Sequence, residues 1–100
     1  MASFEEIEAA RKLLGLKEAA TRKEIKEAFR RLSFRYHPDR SKEDEKLQNE
    51  EMMKKLNWAY KILLDYCACY KYTFTKEDWE RAYPEEAYFE KYVKGWFDAI

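Results

Sequence analysis

Glycine and proline are scarce in this chain of 100 residues, with two of each. So little turn chemistry leaves few places for tight hairpins and favours helices over a many-stranded sheet. Cysteine is equally rare. Cys67 and Cys69 are too few for a disulfide scaffold, and one intervening residue is an awkward span for a strain-free bridge. They read as reduced thiols in a helix tail. A metal site needs more ligands than the single histidine, His37, can complete, so neither metal nor cofactor is expected. No apolar run approaches the roughly 18 residues of a membrane-spanning helix. Glu5 and Glu6 stand where a signal peptide would be basic. The expectation is a cytoplasmic protein with no membrane partner. Nor does one sign of charge prevail: 20 Lys and Arg balance 20 Asp and Glu. No global basic field draws in nucleic acid, so an electrostatic partner must recognise a local patch.

What the chain has in quantity is Lys, Glu, Ala and Leu, which favour helix, and aromatic side chains, at 17%. Four stretches match a helix start, with a Ser or Thr cap answered by an acid three residues later: Ser3 and Glu6, Thr21 and Glu24, Ser41 and Asp44, Thr75 and Asp78. Pro84, followed by Glu85 and Glu86, suits a fifth. The first helix is expected from about Phe4 to Leu14, stopped by Gly15. The second runs from about Arg22 to Tyr36, with Ile25, Ala28, Phe29, Leu32 and Tyr36 on one face. Lys23, Lys26 and Arg30 lie roughly opposite, at about 100° per residue, and Arg31 flanks them. The third runs from Lys42 or Asp44 to Tyr66, with Met53, Leu56, Tyr60, Leu63, Leu64 and Cys67 inward and Trp58 and Ile62 off the main stripe.

Between the second and third helices lies "RYHPDRSKED", residues 35–44. Pro38 pushes the preceding residue out of helical geometry and leaves no amide to donate. The result is a rigid corner that presents an imidazole and a carboxylate beside a basic helix face. A catalytic dyad would need a nucleophile or metal nearby, and the chain offers no second histidine and no glycine-rich phosphate loop. No enzymatic chemistry of its own is expected. On the loop alone, a structural turn in which His37 satisfies backbone groups competes with a contact made to another protein.

The surrounding residues bear on that choice. "LLGL" (13–16), "EIKEAFRRLSFRYHPDR" (24–40) and "MMKKLNWAYKILLDY" (52–66), with its Ala59–Tyr60 pair, occur in the order and spacing of the J-domain. Residues 10–66 resemble that family of DnaJ-like co-chaperones. The resemblance implies an all-α fold: an antiparallel hairpin of the second and third helices with the His-Pro-Asp loop at its tip, and a short N-terminal helix. It also implies docking onto a 70-kDa heat-shock (DnaK-type) chaperone and stimulation of that partner's ATP hydrolysis. On this basis His37, Pro38 and Asp39 form the trigger. Lys26 and Arg30, with Lys23 and Arg31, meet an acidic partner surface, and Arg40 matches the basic residue that follows the motif.

The chain departs from the family where an aromatic pair of the first helix is replaced by Ala10 and Arg11. It also lacks a basic fourth helix, a glycine/phenylalanine-rich linker and a cysteine-rich zinc module. The expected organisation is a J-domain over residues 1–70 and a C-terminal helical extension over 71–100 packed on or next to it. The extension is rich in aromatics, with "KYTFT" as a connector and Tyr88, Phe89, Tyr92, Val93, Trp96 and Ala99 on half of one helix. That surface either covers Trp58 and Ile62 or binds a client or other protein. An alternative to the co-chaperone is a non-catalytic adaptor acting through this extension.

Overall fold

The computed structural model describes residues 1–40, 42–94 and Trp96. Among these residues five α-helices follow in order: α1 (Phe4–Leu13), α2 (Arg22–Tyr36), α3 (Lys46–Cys69), α4 (Lys76–Ala82) and α5 (Pro84–Tyr88). A 3₁₀ turn, Pro38–Arg40, separates α2 from α3, and π-helical turns, Phe89–Lys94, follow α5. There is no strand among the described residues. The chain divides into two compact units, Met1–Tyr70 and Lys71–Ile100.

The first two helices start where a complete capping box can form. Ser3 and Thr21 each accept the amide of the residue three on, and Glu6 and Glu24 reach back to the cap's own amide. This satisfies donors that a helix start otherwise leaves open. At Thr75 the answering acid is Asp78. It is one methylene shorter than Glu, and it accepts the hydroxyls of Thr73 and Thr75 instead. The end of α1 is a Schellman motif. Gly15 takes φ 68°, its N–H donates to the Lys12 carbonyl at 3.0 Å, and Leu16 N–H donates to the Arg11 carbonyl at 3.1 Å. A side chain at Gly15 would meet nothing within 4 Å, so glycine is required there by backbone geometry rather than by space.

α3 is the spine of the first unit: α1, α2 and the 3₁₀ turn all pack on it. The core comprises Ala10 and Leu14 from α1 and its cap, Ile25 and Ala28 from α2, and Leu56, Ala59 and Leu63 from α3. Leu14 and Leu56 are its largest fully enclosed side chains, each contributing roughly 1.5–3 kcal/mol of burial. Phe29 on α2 and Tyr60 on α3 stack across the antiparallel hairpin. Small Ala10 on α1 is wholly buried. Arg11 forms a two-pronged pair with Glu8 at 3.0 and 3.1 Å and donates to the Leu16 carbonyl at 2.9 Å. It therefore ties the end of α1 to the residue that follows its glycine stop.

Two boundaries differ from expectation. α3 starts at Lys46, with no side-chain cap on Glu45, rather than at Lys42 or Asp44. The residues before it form a turn closed by Glu45 N–H on the Lys42 carbonyl at 3.0 Å. The expected Ser41 cap lies outside the described residues. At its other end α3 continues past Tyr66 to Cys69, since Cys67-Ala68-Cys69 contains nothing that breaks a helix, and stops at extended Tyr70. Ile62, read as off the main stripe, packs against the core and is half-buried. Trp58 is 40% exposed.

In the second unit α4 contacts α5, and α5 contacts the π-helical turns. The single regular helix expected after Pro84 is replaced by one α-helical turn and then wider π turns, in which amides bond five residues back. The 3.6-residue face drawn through Tyr88, Phe89, Tyr92 and Val93 therefore does not persist, although the Tyr88 and Tyr92 rings still meet at 4.9 Å. Phe97 and Ala99 lie outside the described residues.

Candidate functional site

The candidate site lies on α2 and the turn that ends it. His37 is the C-cap of α2, with φ −64° and ψ 127°, the extended geometry that a following proline imposes. Pro38 then starts the 3₁₀ turn. The Asp39 amide donates to Nδ1 of His37 at 3.2 Å. A ring nitrogen that accepts a hydrogen bond carries no proton, so neutral His37 bears its proton on Nε2. The Asp39 carboxylate comes within 3.7 Å of the same Nδ1. The side chains are 52% exposed for His37 and 85% for Asp39. One face of the imidazole therefore holds the turn while the ring as a whole stays accessible. Of the two readings that compete on sequence, the Nδ1 bond serves the structural turn, while the ring keeps about half of its surface exposed. The turn rests on α3, and Pro38 is half-buried.

Behind the loop runs a basic strip. Lys23, Lys26 and Arg30 are exposed on the side of α2 away from Ile25, Ala28 and Leu32, with Arg31 exposed at its flank. From Arg22 to Arg35 the helix carries six bases against two acids, Glu24 and Glu27. Lys23, Lys26, Arg30 and Arg31 form no ion pair within the described residues. Their charge is thus not neutralised locally and remains available to an acidic surface. Arg35 instead lies over the Tyr36 ring, 5.3 Å from its centroid. The backbone of Arg40 closes the 3₁₀ turn; its side chain lies outside the described set.

The structure adds Phe34 to the expected site residues. It is 61% exposed, four residues after Arg30 and three before His37, so it bridges the basic strip and the loop on one side of α2. The sequence signal was an apolar residue on the polar face of an amphipathic helix.

Chemically the arrangement offers exposed cations, an imidazole and a carboxylate. Among the described residues no group of three or more His, Cys, Asp or Glu could hold a metal ion. No helix among them is long and apolar enough to cross a membrane.

Comparison with known proteins matches this part of the chain. The DnaJ domain family model covers residues 11–72. The chaperone protein DnaJ of Clostridium kluyveri is 47% identical over 53 residues, which is 53% of this chain and 14% of that protein. The chaperone protein DnaJ of Mycoplasma genitalium is 46% identical over 56 residues, 53% of this chain and 14% of that protein. A DnaJ homolog subfamily C member 7 homolog of Dictyostelium discoideum is 44% identical over 57 residues, 54% of this chain and 11% of that protein. The chain thus spans only a small part of the length of these relatives. No solved structure matches it.

Proposed function

The chain belongs to the DnaJ-domain, or J-domain, family, and from that premise we propose that it is a co-chaperone acting on a 70-kDa heat-shock (DnaK-type) chaperone. It docks through the strip of Lys23, Lys26, Arg30 and Arg31 and stimulates the partner's ATP hydrolysis through His37, Pro38 and Asp39, with Arg40 beside them. The bond-breaking machinery belongs to the partner, and this chain supplies no catalysis of its own. The loop acts by binding the hydrolysis-competent arrangement of the partner better than the resting one, since only such a difference shifts the equilibrium. The reading places the protein in the cytoplasm, where it assists folding or assembly.

The observation that carries this reading is the position of the loop. A proline-stiffened tip presents an exposed imidazole and carboxylate at the end of a basic strip that forms no ion pair among the described residues. A merely structural turn would not require that strip, and an adaptor working through its C-terminal extension would require neither.

The test is single-turnover ATP hydrolysis by a DnaK-type chaperone with and without the protein. His37→Gln places an amide near the position of Nε2 and loses the acceptor at Nδ1. His37→Asn retains an acceptor at the δ position and loses the outer atoms. Loss of stimulation in both, with thermal stability retained, is expected if the whole ring is needed. Full stimulation by both would remove His37 from the trigger.

A further inference from the structure

In the C-terminal unit no described residue is buried, yet it is dense in aromatic rings. Those rings are grouped. Two shallow grooves share Trp79 and Glu90. One is lined by Trp79 and Phe89 together with Glu85, Glu86, Glu90 and Lys94. The other continues over Tyr72, Phe74 and Tyr83. The first groove therefore sets three carboxylates and one ammonium around two aromatic faces.

The acids of this unit are not equivalent. Asp78 is committed to the fold: it accepts from Thr75 at 2.9 Å and from Thr73, and Arg81 lies 3.4 Å from its other oxygen. The side chains of Glu85, Glu86 and Glu90 form no hydrogen bond or ion pair within the described residues. Glu85 and Glu86 stand in the first turn of α5, where negative charge complements the helix. That accounts for two of the three. It accounts neither for Glu90, in the π-helical turns, nor for the exposed rings that complete the groove.

We propose that this groove binds a short extended peptide segment carrying lysine or arginine beside a large apolar side chain. The argument is charge complementarity joined to ring chemistry. A cationic head group is attracted to the face of Trp or Phe and is neutralised by the surrounding glutamates. The apolar neighbour continues over Tyr72, Phe74 and Tyr83, where rigid aromatic side chains give contact area at low entropic cost. An acidic or phosphorylated segment, or a nucleic acid, would meet an excess of carboxylates instead. The site lies outside α2 and its loop and stands independently of their assigned role.

The test uses the full chain and short fluorescein-labelled peptides alternating leucine with arginine, glutamine or glutamate, followed by anisotropy. The arginine peptide is expected to bind roughly ten-fold or more tightly than the glutamate peptide and to weaken as salt rises. Glu86→Gln with Glu90→Gln should weaken it about five-fold, as for two exposed charge pairs near the middle of their range. Phe89→Ser should weaken it as well. Glu50→Gln with Glu51→Gln, on the exposed acidic part of α3, should change nothing. Equal binding of the arginine and glutamate peptides, or a loss through the α3 pair alone, would overturn the proposal. So would sedimentation showing that two copies associate through Phe89 and Trp79 with no peptide binding.

Discussion

The rings of Phe29 and Tyr60 stack 4.1 Å apart and 3° from parallel. Each comes from the middle of its helix, so the pair sets the register of the α2–α3 hairpin and with it the height of the loop above α3. Phe29→Ala and Tyr60→Ala should each cost about 2–3 kcal/mol, below the fully buried range because both residues are half-buried. The double variant should cost less than the sum by about 0.5–1.5 kcal/mol, the coupling typical of aromatic pairs. Urea denaturation of the four proteins measures this; strict additivity would show the rings to be neighbours without a specific interaction.

Ser33 presents the opposite case. Its hydroxyl oxygen is buried without a hydrogen-bond partner among the described residues. Removing an unsatisfied group and raising helix propensity both favour alanine, so Ser33→Ala should stabilise the protein by about 0.5–1.5 kcal/mol. A lower melting temperature would mean that the hydroxyl has a partner in solution.

The second helix was legible from Arg22 to Tyr36 because both of its ends are chemical: a Thr21–Glu24 box starts it and the His37–Pro38 geometry stops it. The seven core residues were largely legible for the same kind of reason, since 3.6-residue spacing puts Ile25 and Ala28, and Leu56 and Leu63, on single faces. The start of α3 was not, because Ser41-Lys42-Glu43-Asp44 carries a cap-like pattern ahead of a turn. The π-helical turns after Tyr88 were illegible because aromatic spacing does not report which carbonyl an amide will choose. In the candidate site, residue types and the loop's stiffness were on the page. The bond from the Asp39 amide to Nδ1 of His37 needed coordinates.

Phe34 should be dispensable for folding and important for docking. With 61% of its surface exposed, Phe34→Ser should change stability by no more than about 0.5 kcal/mol. If the strip and loop form one contact surface, the same substitution should weaken binding to the DnaK-type chaperone by roughly ten-fold, as for an apolar anchor at the edge of a hot spot. Isothermal titration with folded variant protein distinguishes the two effects. Unchanged affinity would confine the interface to the charged residues and the loop.

The basic strip should reveal itself through salt. Lys26→Ala and Arg30→Ala should each weaken chaperone binding by about five-fold at low ionic strength, and the difference from wild type should shrink as salt screens the charges. Lys23→Ala and Arg31→Ala, at the far end and the flank of the strip, should have smaller effects. Neither pair should alter stability measurably, since these side chains form no ion pair among the described residues. Affinity independent of salt in the wild type would exclude electrostatic docking by α2.

Acid should loosen the helix starts before it loosens the core. Glu24 is held below its ordinary value of 4.5, first by the Thr21 backbone amide and then by the Thr21 hydroxyl. Glu8 is lowered in the same direction by its hydrogen bonds from Arg11. A carboxylate whose folded value is depressed contributes stability above its unfolded value and loses that contribution as pH falls through the folded one. The loss should therefore appear below about pH 4.5 and deepen as pH falls further through the depressed folded values. Glu24→Gln keeps an acceptor for the Thr21 amide but cannot titrate. It should be less stable than wild type near neutrality, where the carboxylate complements the helix N-terminus, and should lose less on acidification. Urea midpoints at both pH values provide the comparison. An acid loss as steep in the variant as in the wild type would remove Glu24 from the account and leave Glu8, beside Arg11 at the end of α1, as the group to substitute next.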